Sequence, residues 1–313
     1  MSTWHPGQLL FAGFEGTALP EDLAADIAAG RIGGAILFAR NVQDPEQVRR
    51  LVQELHRAAP ADRALTVAID QEGGRVQRLR APWTEWPPMR RLGERGSLED
   101  SRAVGRGLGR ELADLGIDLD FTPCVDVDTN PDNPVIGDRS FARSPETVAE
   151  HAVALLEGLQ GEGVAGCAKH FPGHGDTHLD SHVALPRVDH DLARLRRVEL
   201  PPFQALARAG VASIVTAHVI ISCLDAERPA TLAPEALRLL REEVGYDGLV
   251  FGDDFEMAAM AEHYGPAEAT RLAIGAGCDA LLVCSRSDVR AEVLGALAAL
   301  PDASLENAAR RMT

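Results

Sequence analysis

Short apolar runs alternate with stretches of amphipathic helical spacing from one end of the 313-residue chain to the other, and no other feature constrains its fold so tightly. The runs cover residues 9–14, 34–38, 65–69, 119–123, 164–170, 213–218, 249–253 and 280–284. Apolar residues recur at helical spacing over 45–58, 98–115, 145–160, 233–244, 267–275 and 288–300. This is the pattern of βα units around a parallel sheet, and the natural closure for eight of them is a single (β/α)8 TIM-type barrel. No Pro/Gly/Ser-rich linker, charge block, low-complexity tract or short-period repeat divides the sequence, so residues 1–313 are predicted to form one domain. The longest irregular stretches, 81–96, 124–144 and 171–190, follow the third, fourth and fifth strands. Barrel enzymes build their sites at those strand ends.

Composition narrows the function. Hydrophobic residues at 45% and charged residues at 25% supply an ordinary globular core and argue against disorder. A net charge of −16, with no local basic patch, repels phosphate backbones and anionic lipid, which disfavours nucleic-acid and membrane partners and suits a small neutral substrate. The cysteines at 124, 167, 223, 278 and 284 fall mostly inside apolar runs and read as buried free thiols of a reducing compartment. The N-terminus has no basic region followed by an apolar core, and no run approaches the roughly 18 residues that span a bilayer. A cytoplasmic, soluble protein is expected. Acidic composition says nothing of oligomeric state.

The chain has 30 arginines and one lysine, Lys169. A compact ammonium with rotatable donors does what a planar guanidinium cannot, so a lysine retained against this bias is a candidate functional residue. It lies at a strand end, as do Asp70 in DQEGGRVQR, His170 beside it, and Asp253 and Asp254 in GLVFGDDFEM; Arg139 in NPVIGDRSF lies in the irregular stretch after the fourth strand. Charged residues often end strands because strands end at solvent. Several together, two of the segments rich in glycine, point to one rim.

Lys169 opens KHFPGHGDTHLDSH, with histidines at 170, 174, 178 and 182. Four-residue spacing chelates a metal only on a helix, and Pro172, Gly173 and Gly175 break any helix here, so no metal ligand set is assigned. Asp180 and His182 can pair if the loop turns, the carboxylate orienting the ring and raising its pKa into the range of a useful acid. In GDDFEM an aspartate could serve as nucleophile, metal ligand or helix cap. Asp253, nearest the strand end, is expected to point inward, leaving Asp254 for the helix start.

In order and spacing, DQEGGRVQR, NPVIGDRSF, KHFPGHGDTHLDSH and GDDFEM resemble the family 3 glycoside hydrolases, in their β-N-acetylhexosaminidase branch, across about residues 9–290. The resemblance implies a retaining exo-β-N-acetylglucosaminidase without cofactor. It places Asp70, Arg78, Arg139, Lys169 and His170 around the sugar of the −1 subsite, Asp253 as nucleophile, and His182 with Asp180 as the acid/base dyad. A histidine thus stands where a second carboxylic acid is usual. Larger relatives take the acid/base from a second domain; this sequence ends soon after its eighth unit, so the resemblance assigns that role to a barrel loop. In a bacterial cytoplasm it implies cell-wall recycling, with muropeptide fragments as substrate partners. Gly252 stands where serine is typical, and Phe255-Glu256 where Leu-Ser is usual, which loosens the expected nucleophile geometry. A phosphorylase, a β-glucosidase, a metal-dependent amidohydrolase and an inactive sugar-binding barrel are the alternative readings.

Overall fold

Eight parallel strands close into a barrel: β1 (Leu10–Ala12), β2 (Gly34–Leu37), β3 (Thr66–Ile69), β4 (Leu119–Asp120), β5 (Ala165–Phe171), β6 (Ser213–Thr216), β7 (Leu249–Asp254) and β8 (Ala280–Val283). Each pairs with its sequence neighbours, and β1 pairs with β8. The structure, a computed structural model, describes residues 4–178 and 185–312. All eight predicted strands are present; six are shorter than predicted, the fifth is shifted by one residue and the seventh runs one residue further.

The helices follow from their caps. Ser97 accepts the Asp100 N–H at 3.1 Å to open Leu98–Leu115, and Gly116, at φ 81°, closes it in a left-handed conformation that glycine adopts without penalty. Asp44 opens Pro45–Ala58 and Ser144 opens Pro145–Gln160 in the same way. The predicted helix 233–244 is Pro234–Leu239 continued by a π turn over Leu240–Val244. Among the described residues no helix is long and apolar enough to cross a membrane. All five cysteines are free thiols, but Cys223 is exposed, against the expectation of burial.

Two apolar layers hold the barrel. One joins strands to helices; the other fills the interior with Phe11, Ile36, Leu119, Phe121, Val215 and Phe251. Phe251 meets Phe11 edge-on with ring centres 4.8 Å apart and Phe121 at 5.4 Å. Gly34 makes room for this plug, since a Cβ there would sit 2.2 Å from the Phe11 ring.

The interior set fixes which residues reach the upper rim. Cys167 faces inward, so strict alternation would send Lys169 in and His170 out. The β5–β6 register breaks between Ala168 and Phe171, and Lys169 and His170 both line the rim cavity. β7 repeats the device: Phe251 faces inward, the register against β8 breaks between Phe251 and Asp254, and Asp253 and Asp254 both line the cavity. The assignment of Asp254 to a helix start is therefore corrected. The next helix, Ala258–Ala261, begins after Met257 and takes no cap from it.

The loop after β5 is packed backbone against backbone. A Cβ on Gly175 would lie 1.9 Å from the Val127 carbonyl oxygen. Gly175→Ala is expected to cost about 1–3 kcal/mol of stability, read as a lower urea midpoint. An unchanged midpoint would show that the loop yields without cost.

Candidate active site

Directly after β3, Gln71–Gly73 and Val76–Gln77 form a small antiparallel hairpin. Its turn uses Gly73 and Gly74 at φ 106° and 57°, backbone that favours glycine. The hairpin folds Arg78 back onto Asp70, Nη2 to Oδ2 at 3.2 Å. From β5 across the barrel, Lys169 Nζ reaches Asp70 Oδ1 and Glu72 Oε1, both at 2.6 Å. Arg139 grips Glu72 with two bonds, Nε at 2.9 Å and Nη2 at 2.8 Å. Asp70, Arg78, Arg139 and Lys169 thus form one network, and the residue that links its halves is Glu72, which sequence reasoning missed.

Burial of Asp70 works to raise its pKa, but Lys169 and Arg78 outweigh it and hold the carboxyl well below the usual range. Glu72, likewise buried, is pulled down to about 2 by Arg139 and Lys169. Burial disfavours the Lys169 ammonium, yet Asp70 and Glu72 hold it above its ordinary value. All three are charged at neutral pH.

His170 is oriented by Asp126, a second residue the sequence reading passed over, at 2.7 Å from Nδ1 to Oδ2. Asp126 also accepts the His174 backbone N–H at 2.6 Å, so one buried carboxylate shapes the start of the loop. His174 lines the cavity too, and burial, then the nearby His170, lower its pKa to about 4. Cys124, Asp126 and His170 place three donor atoms within 4.8 Å of one another; Asp126 Oδ2 accepts from both the thiol and the imidazole. Asp180 and His182 lie outside the described residues. The described residues before them are tied down: Asp176 accepts from Thr129 at 2.8 Å and pairs with His190 at 2.6 Å, and Asn130 donates to the Thr177 carbonyl at 2.9 Å.

These groups border a cavity of about 320 Å³ at the C-terminal rim, near the small end of ligand clefts, which run from roughly 300 to 1,000 Å³. Three cations, Arg78, Arg139 and Lys169, line it with three carboxyl groups, Asp70, Asp253 and Asp254, a mixture of donors and acceptors that suits a polar molecule. Phe38 and Met257 add an apolar side. The Arg78 Nε is buried without a hydrogen-bond partner among the described residues, a donor left for a ligand. Burial, then the charges of Glu256 and Asp253, raise Asp254 to about 7, although the Glu256 N–H works the other way.

Asp120, behind this cluster, accepts the Gln71 N–H at 2.8 Å through Oδ1, and burial raises its pKa to about 8. Its folded value lies above the ordinary 3.8, so the native state holds the proton more tightly and stability falls as pH rises from about 4 to 8. Asp120→Asn is expected to flatten the fall in melting temperature across that window. An unchanged pH slope would assign the fall to other groups.

The Glycosyl hydrolase family 3 N-terminal domain matches residues 6–313. A β-hexosaminidase of Thiobacillus denitrificans is 40% identical over 290 residues, covering 90% of this chain and 79% of that protein. Among solved structures, a glycoside hydrolase family 3 β-N-acetylglucosaminidase from Paenibacillus sp. superposes with a TM-score of 0.94 at 40% identity over 98% of this chain, which spans only 60% of that one. NagZ from Neisseria gonorrhoeae in complex with N-trifluoroacetyl-D-glucosamine superposes with a TM-score of 0.87 at 36% identity, over 97% of this chain and 89% of that one. The barrel and its charged rim therefore define a glycoside hydrolase, and the chain belongs to glycosyl hydrolase family 3.

Proposed function

We propose that this family 3 hydrolase is a single-domain, exo-acting, retaining β-N-acetylglucosaminidase. The observation that carries the reading is that Asp253 lines the same small cavity as the Asp70–Lys169–Arg78 network. Asp253 would form a bond to the anomeric carbon as the glycosidic C–O bond breaks. His182, oriented by Asp180, would donate its proton to the departing oxygen, then take one from the water that releases the sugar. The fixed charges of Asp70, Lys169 and Arg78, with the donors of Arg139 and His170, would grip the sugar hydroxyls. A network already held by its own ion pairs needs little reorganisation as charge develops on the ring. The names of the similar proteins support the N-acetylglucosamine specificity.

The finer reading is a cytoplasmic role in peptidoglycan recycling, with N-acetylglucosamine removed from muropeptide fragments. The test is turnover of 4-nitrophenyl β-N-acetylglucosaminide beside the matching β-glucoside, with and without phosphate, following the anomer by NMR. Nitrophenol release from the first substrate, with retained β-configuration and free sugar, is expected. Faster turnover of the glucoside, sugar 1-phosphate as product, or inversion would each overturn a named part of the reading.

A further inference from the structure

Gly252 and Asp253 lie just before the end of β7, and the glycine leaves the nucleophile candidate without a packed side chain before it. A Cβ at Gly252 would find its nearest neighbour, the Thr231 methyl, at 3.2 Å, then Leu281 and Phe255 at 3.5 and 3.6 Å. The ladder to β8 also breaks here, between Phe251 and Asp254. Glycine at a register break is the arrangement least able to fix a carboxylate through its own backbone.

Beyond the Phe255 N–H, which donates to the Leu282 carbonyl at 3.1 Å, and His218 Nε2, 3.0 Å from the Asp254 carbonyl oxygen, the strand end is held by a run of side-chain bonds to the segment after β8. Asp254 Oδ1 accepts the Cys284 N–H at 3.3 Å and the Glu256 N–H at 3.1 Å. Glu256 accepts the Ser285 N–H at 2.5 Å, the Arg286 N–H at 2.7 Å and the Ser285 hydroxyl at 3.1 Å. The helix Ser287–Ala298 starts from Arg286, which offers no side-chain cap, so Glu256 supplies from another loop the acceptor that a helix start needs. The run closes on Asp253 itself, whose Oδ1 accepts the Asp254 N–H at 2.8 Å.

We propose that Glu256, acting with Asp254, is a positioning residue: the two carboxylates strap the end of β7 to residues 284–286 and so fix Asp253 against the cavity, in place of a side chain at Gly252. This rests on the reading of Asp253 as nucleophile. A carboxylate that must meet a carbon at about 3–3.5 Å loses on the order of 10²-fold in rate when displaced by about 1 Å, so a strap acts on the covalent step more than on binding.

The test measures kcat and KM with 4-nitrophenyl β-N-acetylglucosaminide for Glu256→Ala and Glu256→Gln. Alongside, mass spectrometry follows the rate at which a 5-fluoro glycosyl fluoride labels Asp253, and urea unfolding reports stability. Glu256→Ala is expected to lower kcat and labelling together by about 10- to 100-fold, with KM within about threefold. Glu256→Gln, which keeps one acceptor oxygen, should fall between it and wild type. Adding Gly252→Ser to Glu256→Ala should return part of the labelling rate. Wild-type kcat and labelling in a destabilised Glu256→Ala would reduce Glu256 to a helix cap and overturn the proposal. So would a labelling loss that Gly252→Ser leaves untouched, or, if Glu256→Ala does not fold, a Glu256→Gln enzyme with wild-type rates. Failure of the wild type to label at Asp253 would instead overturn the nucleophile assignment.

Discussion

Asp253→Ala should lose activity on the order of 10⁴-fold in kcat, because removing a covalent nucleophile leaves only the surrounding charges and the acid to act on the glycosidic bond. Stability should hold or rise, since Asp253 crowds its neighbour Asp254 and its charge helps raise that group to about 7. Removing it relieves that repulsion and lets Asp254 ionise at lower pH. Steady-state turnover and a melting curve on the same sample check both halves. A variant as active as wild type would sink the nucleophile assignment, and one that melts far earlier would make Asp253 a structural residue.

Lys169→Met is expected to have the largest effect on stability. The ammonium is almost wholly buried, with Asp70 and Glu72 both at 2.6 Å, so its loss strands negative charge in a dry setting. Breaking a buried pair from one side costs about 3–5 kcal/mol. Activity should fall on the order of 10²–10³-fold, as Asp70 loses one of its two cationic partners. In the wild type the folded pKa of Glu72 lies near 2, below its ordinary 4.5, so its contribution is present above about pH 4.5 and drains away as pH falls toward 2. The variant should keep only the part of that acid-limb slope that Arg139 supports. Glu72→Gln in the same background takes from the buried Arg139 its bidentate carboxylate and should not recover that stability, and denaturant unfolding of the four proteins of the cycle gives the coupling. Simple additivity would show that Lys169 and Glu72 do not act as a unit.

Much of the barrel was legible because burial on both faces writes each strand as an apolar run, and 45–58, 98–115 and 145–160 were readable as helices from spacing. The helix Met89–Arg95 fell inside a stretch read as irregular, since Pro87, Pro88, Gly93 and Gly96 crowd it. The helix Asp302–Met312 is mostly polar and was not read at all. In the site, Asp70, Lys169 and His170 could be picked out at strand ends and Arg139 in the stretch after the fourth strand, Arg78 followed only from the resemblance, and the structure brings all five to one cavity. Glu72 and Asp126 escaped because they act through other residues, and pairing to Lys169, Arg139 and His170 is a three-dimensional relation. The one local hint was Glu72 itself, a second carboxylate two residues after Asp70. Asp254 was misplaced because alternation assumes an unbroken ladder, and a register shift leaves no mark in the sequence beyond a glycine.

The single lysine has a practical corollary. With the only ε-amine in the sequence locked under Asp70 and Glu72 at 5% side-chain exposure, lysine-directed acylation finds no target on the surface of the folded barrel. Reaction at that nitrogen has to wait for the rim to come apart, so the rate at which an amine reagent modifies Lys169 becomes a clock for local opening of the site, read without substrate and without a spectroscopic label.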